Sequence, residues 1–379
     1  MASLVLTLLA QAGALLEERF EDPQALSRWK AVDGARIGPD SPSRASLEGG
    51  ALLLEAEAGT RRWLSLERSV PLSGVPWIRV TARMRTEGVD PSGARYANCN
   101  LYVRFPRGPV QPLRIFAGTN PWTAVARRLP VPAGADEVTV ACFLSMPGRA
   151  WFDDVRVEAV GPPPWQSARA GRYVFRWLPG DGVPEEARRY NLESWRQVSE
   201  FLGVEGPAEV AYFKYPDVPT KEEYSGRGGN AHVQGDEIHT IWATDRHEIV
   251  HILARPWGDP PALLGEGLAV HLSGAWQGRP VPEAARAVLA AGKWIPLEDL
   301  LDPRCFRGRD DLVTYPLAGA FVRWVLETQG KEKLRVLYGR LRAAAPLEEN
   351  RRAFREILGP APAEADARLR AFLEGRPAP

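Results

Sequence analysis

Residues 244–253 read Thr-Asp-Arg-His-Glu-Ile-Val-His-Ile-Leu, and residues 261–274 read Pro-Ala-Leu-Leu-Gly-Glu-Gly-Leu-Ala-Val-His-Leu-Ser-Gly. In the first stretch His247 and His251 stand four apart. On a helix that spacing puts both imidazoles on one face, one turn apart, as two ligands of a single ion require. Glu248 sits next to His247, near enough to face a water on that ion. Thr244 or Asp245 can cap the helix, Ile249, Val250, Ile252 and Leu253 supply a buried side, and Pro256 ends it. In the second stretch Pro261 suits a first turn and Gly274 a stop, with Leu264, Leu268 and Leu272 as an apolar stripe. Glu266 interrupts this largely apolar helix, where a carboxylate is costly unless it is paired or bound to a cation. Two His and one Glu leave a fourth zinc position open, the arrangement of a catalytic site rather than a closed structural one.

All five histidines, from His232 to His271, fall in this neighbourhood, so any metal chemistry belongs to the second half of the chain. His239 and His271 flank the motif and are candidates to support its ligands, or ordinary polar residues. The 379 residues suffice for two domains with separate cores. Apolar residues make up 45% and charged residues 25%, a globular balance. The 48 basic and 47 acidic residues nearly cancel, and they form no basic cluster of the kind a nucleic-acid surface needs. No apolar run reaches the roughly 20 residues that span a bilayer.

The first 14 residues carry a short apolar run, Leu4 to Ala10, and Ala10-Gln11-Ala12 fits a small-residue cleavage site, although a positive leading region is missing. This segment is expected to act as a signal peptide, with the protein secreted or periplasmic, or else to form a buried first strand or a frayed terminus. Residues 15–160 read as all-β: short runs rich in Val, Leu, Ile and aromatics recur between Gly, Pro, Asp and Ser breaks. In Trp77–Arg85, Ile78, Val80, Ala82 and Met84 alternate with Arg79, Thr81, Arg83 and Arg85, which marks a strand with one buried and one wet face. Many such strands predict an antiparallel sandwich. Cys99 and Cys142 lie in two of these runs, as buried thiols or as a pair, and Cys305 reads as structural.

Three prolines in 161–171 predict a linker. From 172 to 379 the pattern becomes a strand at Tyr173–Trp177 and a helix beginning near Pro184, with Ala187, Tyr190, Ser194, Val198, Phe201 and Leu202 along one side. Strands follow at Glu209–Lys214 and Glu237–Ala243, and the chain is then mostly helical to the end. Pro316 is expected to start a helix with Leu317, Ala320, Phe321, Trp324 and Val325 on its apolar face, which places Tyr315 at the helix mouth.

Taken together, HEIVHIL (247–253) and ALLGEGLAVHL (262–272) resemble the gluzincins, zinc peptidases whose third ligand is a Glu on the next helix. More narrowly they are similar to bacterial peptidase-MA-like domains. GNAHVQGDEIHTIWATD (229–245) resembles the strand that leads into their zinc helix, and TYPLAGAFVRWVLETQGKEKLRVLY (314–338) their Tyr-containing helix. The resemblance covers roughly 170–375. One departure is the short gap between His251 and Glu266, which leaves little room for an inserted substrate-binding segment.

The resemblance implies an α+β domain, with a small mixed sheet and zinc helix followed by a mostly helical part. It also implies one Zn2+ per chain on His247, His251 and Glu266, with Glu248 activating the zinc-bound water. Tyr315 would donate to the oxyanion on the attacked carbonyl, or simply pack at a helix start. The implied activity is that of an endopeptidase on protein or glycoprotein. A non-catalytic glycan- or protein-binding protein with a vestigial metal site, and a zinc hydrolase of non-peptide substrates, remain alternatives.

GALLEERFEDPQALSRW (13–29) and RAWFDDVRVEAV (149–160) resemble the ends of galactose-binding-like jelly rolls, which include many carbohydrate-binding modules. That resemblance implies a structural Ca2+ for which Glu18, Asp22 and Asp154 are candidate ligands, or plain surface acids. Trp29, Trp63, Trp77, Trp122 and Trp151 could stack on sugars, or pack in the core.

Overall fold

A computed structural model describes residues 13–32, 43–58, 63–92 and 98–377. The expected leader at 1–14 falls almost wholly outside the described residues. The chain divides into two compact units, Met1–Trp165 with Tyr215–Asn230, and Gln166–Lys214 with Ala231–Pro379.

The first unit carries strands β1 (Ala14–Glu18), β2 (Lys30–Val32), β3 (Ser43–Glu48), β4 (Ala51–Ala56), β5 (Leu64–Pro71), β6 (Trp77–Val89), β7 (Cys99–Arg104), β8 (Gln111–Phe116), β9 (Gly118–Pro130), β10 (Glu137–Leu144) and β11 (Gly148–Val160). One sheet runs β3-β4-β11-β6-β9 with β1 beside β11, and the other runs β2-β5-β10-β7-β8. Every pairing between these strands is antiparallel. A single core joins their inner faces, with Ile78, Val80 and Met84 from one sheet and Leu66, Leu101 and Val140 from the other. The strand period of two produces this, since each inward residue is apolar and its neighbours face out. Cys99 and Cys142 are free buried thiols in that core, and burial pushes both pKa values up. Glu18 is engaged by Arg28 and Arg68, Asp22 by Arg28, and Asp154 faces Arg83. The three acids suggested for calcium therefore face guanidinium groups.

The second unit opens with β12 (Gln166–Ala170) and β13 (Tyr173–Trp177), then α1 (Glu185–Leu202) and β14 (Val210–Lys214). Next come α2 (Val218–Ser225), which belongs to the first unit, the hairpin β15 (Ala231–Gln234) and β16 (Glu237–Thr240), and α3 (Arg246–Leu253). The sheet order is β12-β13-β14-β16-β15; β13, β14 and β16 run parallel, and both edge strands are antiparallel to their neighbours. The remainder is helical apart from one small hairpin: α4 (Ala262–Ser273), β17 (Ala275–Trp276), β18 (Arg279–Pro280), α5 (Val281–Ala290), α6 (Leu297–Leu300), α7 (Pro303–Arg307), α8 (Asp311–Gln329), α9 (Lys331–Arg340), α10 (Leu347–Leu358) and α11 (Pro362–Leu373). Tyr173, Tyr212 and Ile238 from the sheet share one core with Trp195 of α1, Ile249 of α3 and the later helices. No helix among the described residues is long and apolar enough to cross a membrane.

Four local expectations need correction. The linker stops at Trp165, because 166–170 pairs in register with 173–177 as an edge strand, and edge positions tolerate a chain arriving from prolines. On α1 the buried side is Ala187, Asn191, Ser194, Trp195, Val198 and Leu202, while Tyr190 is exposed. The third is α8, which starts at Asp311 rather than Pro316, with Asp310 capping Leu312 N–H. Pro316 is tolerated inside it because the carbonyl it leaves without a donor is that of Leu312, an exposed residue. Residues 215–230 cluster with the sandwich: Glu223 of α2 is held by Arg79 and Arg128 at 2.9 and 2.6 Å, Glu222 pairs with Arg114, and Trp165 packs edge-on against Tyr215 and Tyr224.

Candidate metal centre

Asp245 caps the helix that bears both histidines, its Oδ1 accepting from Glu248 N–H at 3.2 Å. The turn before it is fixed by Asn191 of α1. Asn191 Nδ2 donates to Ala243 O at 2.9 Å, and its Oδ1 accepts from Asp245 N–H at 3.1 Å. Tyr212 Oη donates to Trp242 O at 2.9 Å. A buried amide and a buried phenol thus satisfy backbone groups that the loop could not pair itself.

Helix α4 brings the carboxylate. Its neighbour Gly267 is needed for close approach: a Cβ there would lie 2.6 Å from Ala318 O and 2.9 Å from the Val322 side chain, both on α8. Glu266 and the Tyr315 helix are therefore drawn together at a backbone-to-backbone crossing.

The three expected ligands converge. Nε2 of His247 and of His251 lie 3.1 and 3.2 Å from Glu266 Oε2, and 3.1 Å from each other. This is the one group of three such side chains among the described residues whose ligand atoms could share an ion. A tetrahedral ion with bonds of about 2.0–2.2 Å needs ligand–ligand edges of about 3.3–3.6 Å, so the triangle fits zinc with a slight opening. Three acceptor-capable atoms turned toward one another at such distances call for a shared cation or a shared proton. Histidine Nε2 atoms with one carboxylate oxygen suit zinc better than a hard oxygen-seeking ion.

The electrostatics follow from burial and proximity. Burial alone would lower the His251 pKa, but the Glu266 carboxylate outweighs it and holds the ring protonated up to about 9. Burial alone would raise Glu266, but His251 and His247 hold it well below the usual carboxylate range. Glu248, 6% exposed, is pushed up to about 7, first by burial and then by Asp245 and Glu266 against the two histidines. The Tyr315 pKa is raised by burial and by the charges of Glu266 and Glu248. Its ring centroid lies 6.2 Å from that of His247.

A test follows from His251. Zinc takes a neutral imidazole. At pH 8 Glu248 is already largely ionised while His251 still carries its proton, so binding should release about one proton. Calorimetric titration in buffers of different ionisation enthalpy measures this, and release near zero would refute the protonated pair. In the zinc-free protein the same pair stabilises the fold below the ordinary His value of 6.5, and that contribution is lost as pH rises through about 9.

His239 is elsewhere, stacked on Phe213 at 4.8 Å and on His232 at 5.0 Å on the sheet. His271 is half-buried, and its pKa is lowered by partial burial and by the charge of Arg323 on α8. Sequence reasoning missed Asn191, because a polar residue on a buried helix face has no periodic signature. It also missed Trp276, whose indole stacks on Tyr315 at 4.4 Å and lies 5.9 Å from His247.

No protein-family model and no curated protein sequence matches this chain. Among solved structures, it is similar over 40% of its length to a point mutant of a family 29 carbohydrate-binding module, covering 87% of that chain at 11% identity and a TM-score of 0.27. A mutant of such a module complexed with mannohexaose matches over 40% of this chain and 94% of its own, at 11% identity and a TM-score of 0.27. The enzymatically active domain of tailspike protein 4 from bacteriophage CBA120 matches over 37% of this chain and 20% of its own, at 14% identity and a TM-score of 0.25. Likenesses of this size support no statement about what the chain binds or does.

Proposed function

We propose that the second unit is a gluzincin-type zinc peptidase, an endopeptidase acting outside the cytoplasm on protein or glycoprotein. The observation that carries this reading is the convergence of His247, His251 and Glu266 to 3.1–3.2 Å with a buried carboxylate, Glu248, on the same helix turn. A purely structural zinc site has no need of that fourth group.

Zinc bound there supplies a Lewis acid that polarises a carbonyl and acidifies water. Glu248 takes a proton from the attacking water and later delivers it to the leaving amine, so that amide and water become acid and amine. A group that titrates near neutrality suits both transfers. Tyr315 donates its phenolic hydrogen to the developing oxyanion. Tyr315→Phe is expected to lower kcat about 100-fold with little change in KM or zinc content, because that hydrogen bond strengthens only as charge develops. Unchanged kcat would remove the oxyanion role and leave the metal centre standing.

The decisive experiment profiles the purified, zinc-quantified protein against peptide libraries, with and without chelator. Cleavage that chelation abolishes and zinc restores supports the reading. Turnover confined to non-peptide esters or amides would replace it with the non-peptide hydrolase.

A second reading, glycan binding by the sandwich, is favoured by a groove of about 580 Å³ on the outward face of the β2-β5-β10-β7-β8 sheet. Trp63, 49% exposed, and Phe143 form its aromatic wall. Tyr102 Oη donates to Glu67 at 2.7 Å, and Asn100 Oδ1 is buried there without a hydrogen-bond partner among the described residues. A ring with one apolar face and flanking hydroxyls matches such a surface. Trp29 and Trp151 are instead core residues. In a Glu248→Gln background, Trp63→Ala should abolish any signal of the whole chain on a glycan array; an unchanged signal would place binding elsewhere.

A further inference from the structure

Tyr315 is clamped by aromatic rings that the reaction itself does not require. The hairpin β17–β18 leaves α4 through Gly274, turns at Gln277 and Gly278, and enters α5 directly. Both turn residues have positive φ, 49° and 76°, as a tight two-residue hairpin demands. The hairpin is thus tied at one end to the helix carrying Glu266. At the other end it joins a helix packed on α8, where a Cβ on Gly319 would lie 2.8 Å from Val281. Little slack remains for Trp276. Its ring lies 4.4 Å from Tyr315 at 21°, close to parallel, and Phe306 of α7 closes on Tyr315 at 5.7 Å. The same indole stands 5.9 Å from the His247 ring. Its Nε1 is buried and has no hydrogen-bond partner among the described residues, so the contact with Tyr315 is one of faces and not of a polar tether.

We propose that Trp276 is the positioning residue that fixes the Tyr315 phenol against the metal site. The assignment rests on the peptidase reading for its consequence in turnover, but not for the geometry it asserts. A phenol free to rotate about χ1 spends part of its time away from the carbonyl oxygen; a flat indole stacked on one face, with Phe306 packed at a tilt against the same ring, removes that freedom before substrate arrives. Trp276 acts through Tyr315, so its loss should cost nothing once the hydroxyl is gone.

The experiment uses the full chain in five forms: wild type, Trp276→Ala, Trp276→Phe, Tyr315→Phe and the double variant Trp276→Ala/Tyr315→Phe. Trp276→Ala should reduce kcat on the order of 10-fold at unchanged zinc content and near-constant KM. Trp276→Phe, which keeps a stacking face, should restore most of it. The double variant should match Tyr315→Phe alone, because the two changes strike one interaction. In parallel, tyrosine-ring labelled protein reports the Tyr315 resonances, assigned by their disappearance in Tyr315→Phe. They should carry the upfield shift of a ring stacked on indole, keep part of it in Trp276→Phe, and lose it in Trp276→Ala. Losses that add in the double variant, or Tyr315 resonances unmoved by Trp276→Ala, overturn the assignment. If no peptide is cleaved, or Glu248→Gln cleaves as wild type does, the peptidase reading falls. The resonance measurement, which needs neither zinc nor substrate, then decides Trp276 by itself.

Discussion

Glu248→Gln is expected to cut turnover about 1,000-fold or more while zinc stays at one per chain, the range lost when a positioned general base is removed. The substitution keeps shape and volume. It leaves Asp245 Oδ1 capping the same backbone N–H, and it touches none of the three converging ligand atoms. What it removes is a proton acceptor whose pKa burial has moved to about 7. Because the proton moves only along the reaction coordinate, kcat should fall and KM should stay close to its original value. The substitution also relieves a buried acid of its desolvation, so thermal stability should hold or rise slightly. Turnover retained at the wild-type level on a verified substrate would show that water is activated by some other group.

His247→Ala should abolish stoichiometric zinc binding and activity together. Two ligands, His251 and Glu266, would remain, with one corner of the 3.1–3.2 Å triangle gone. Two protein ligands hold zinc far less tightly than three. The metal-free variant should stay folded, because His251 and Glu266 still pair and the surrounding core of Ile249, Val250 and Leu268 is untouched. Metal analysis after gel filtration reads the result. Retention of one zinc per chain would mean that the ion sits on other groups.

The candidate metal centre was legible because its signals are local. A four-residue spacing on a capped helix and an acid on an apolar one are both properties of single segments, and they name His247, His251, Glu248 and Glu266 before any tertiary contact is known. The alternation in β6 was legible for the same reason. What escaped is what depends on distant partners. Asn191 looks like a surface residue until the loop at 243–245 arrives to use its amide. Trp276 looks like a turn aromatic until α8 brings Tyr315 beneath it. The start of α8 escapes because Pro316 looks like a boundary, whereas Asp310 caps the helix a turn earlier and the carbonyl that Pro316 leaves without a donor belongs to the exposed Leu312. Helix α2 was missed outright: eight residues with Lys221 and Glu222 buried show no amphipathic stripe, and arginines on three different strands of the sandwich stabilise it.

That helix bears on how such a protein can be inherited. The polypeptide leaves the second unit after Lys214, lends residues 215–230 to the first, and goes back at Ala231. A gene duplicated or recombined at a single breakpoint near 165 would therefore deliver a sandwich stripped of Glu222 and Glu223, with Arg114 and Arg128 deprived of those carboxylates and Arg79 left with Glu158 alone. It would also deliver a second half carrying a segment evolved for a surface it no longer has. Ordinary module shuffling needs one clean cut; here two more are required, so the pair should travel through genomes as one hereditary block.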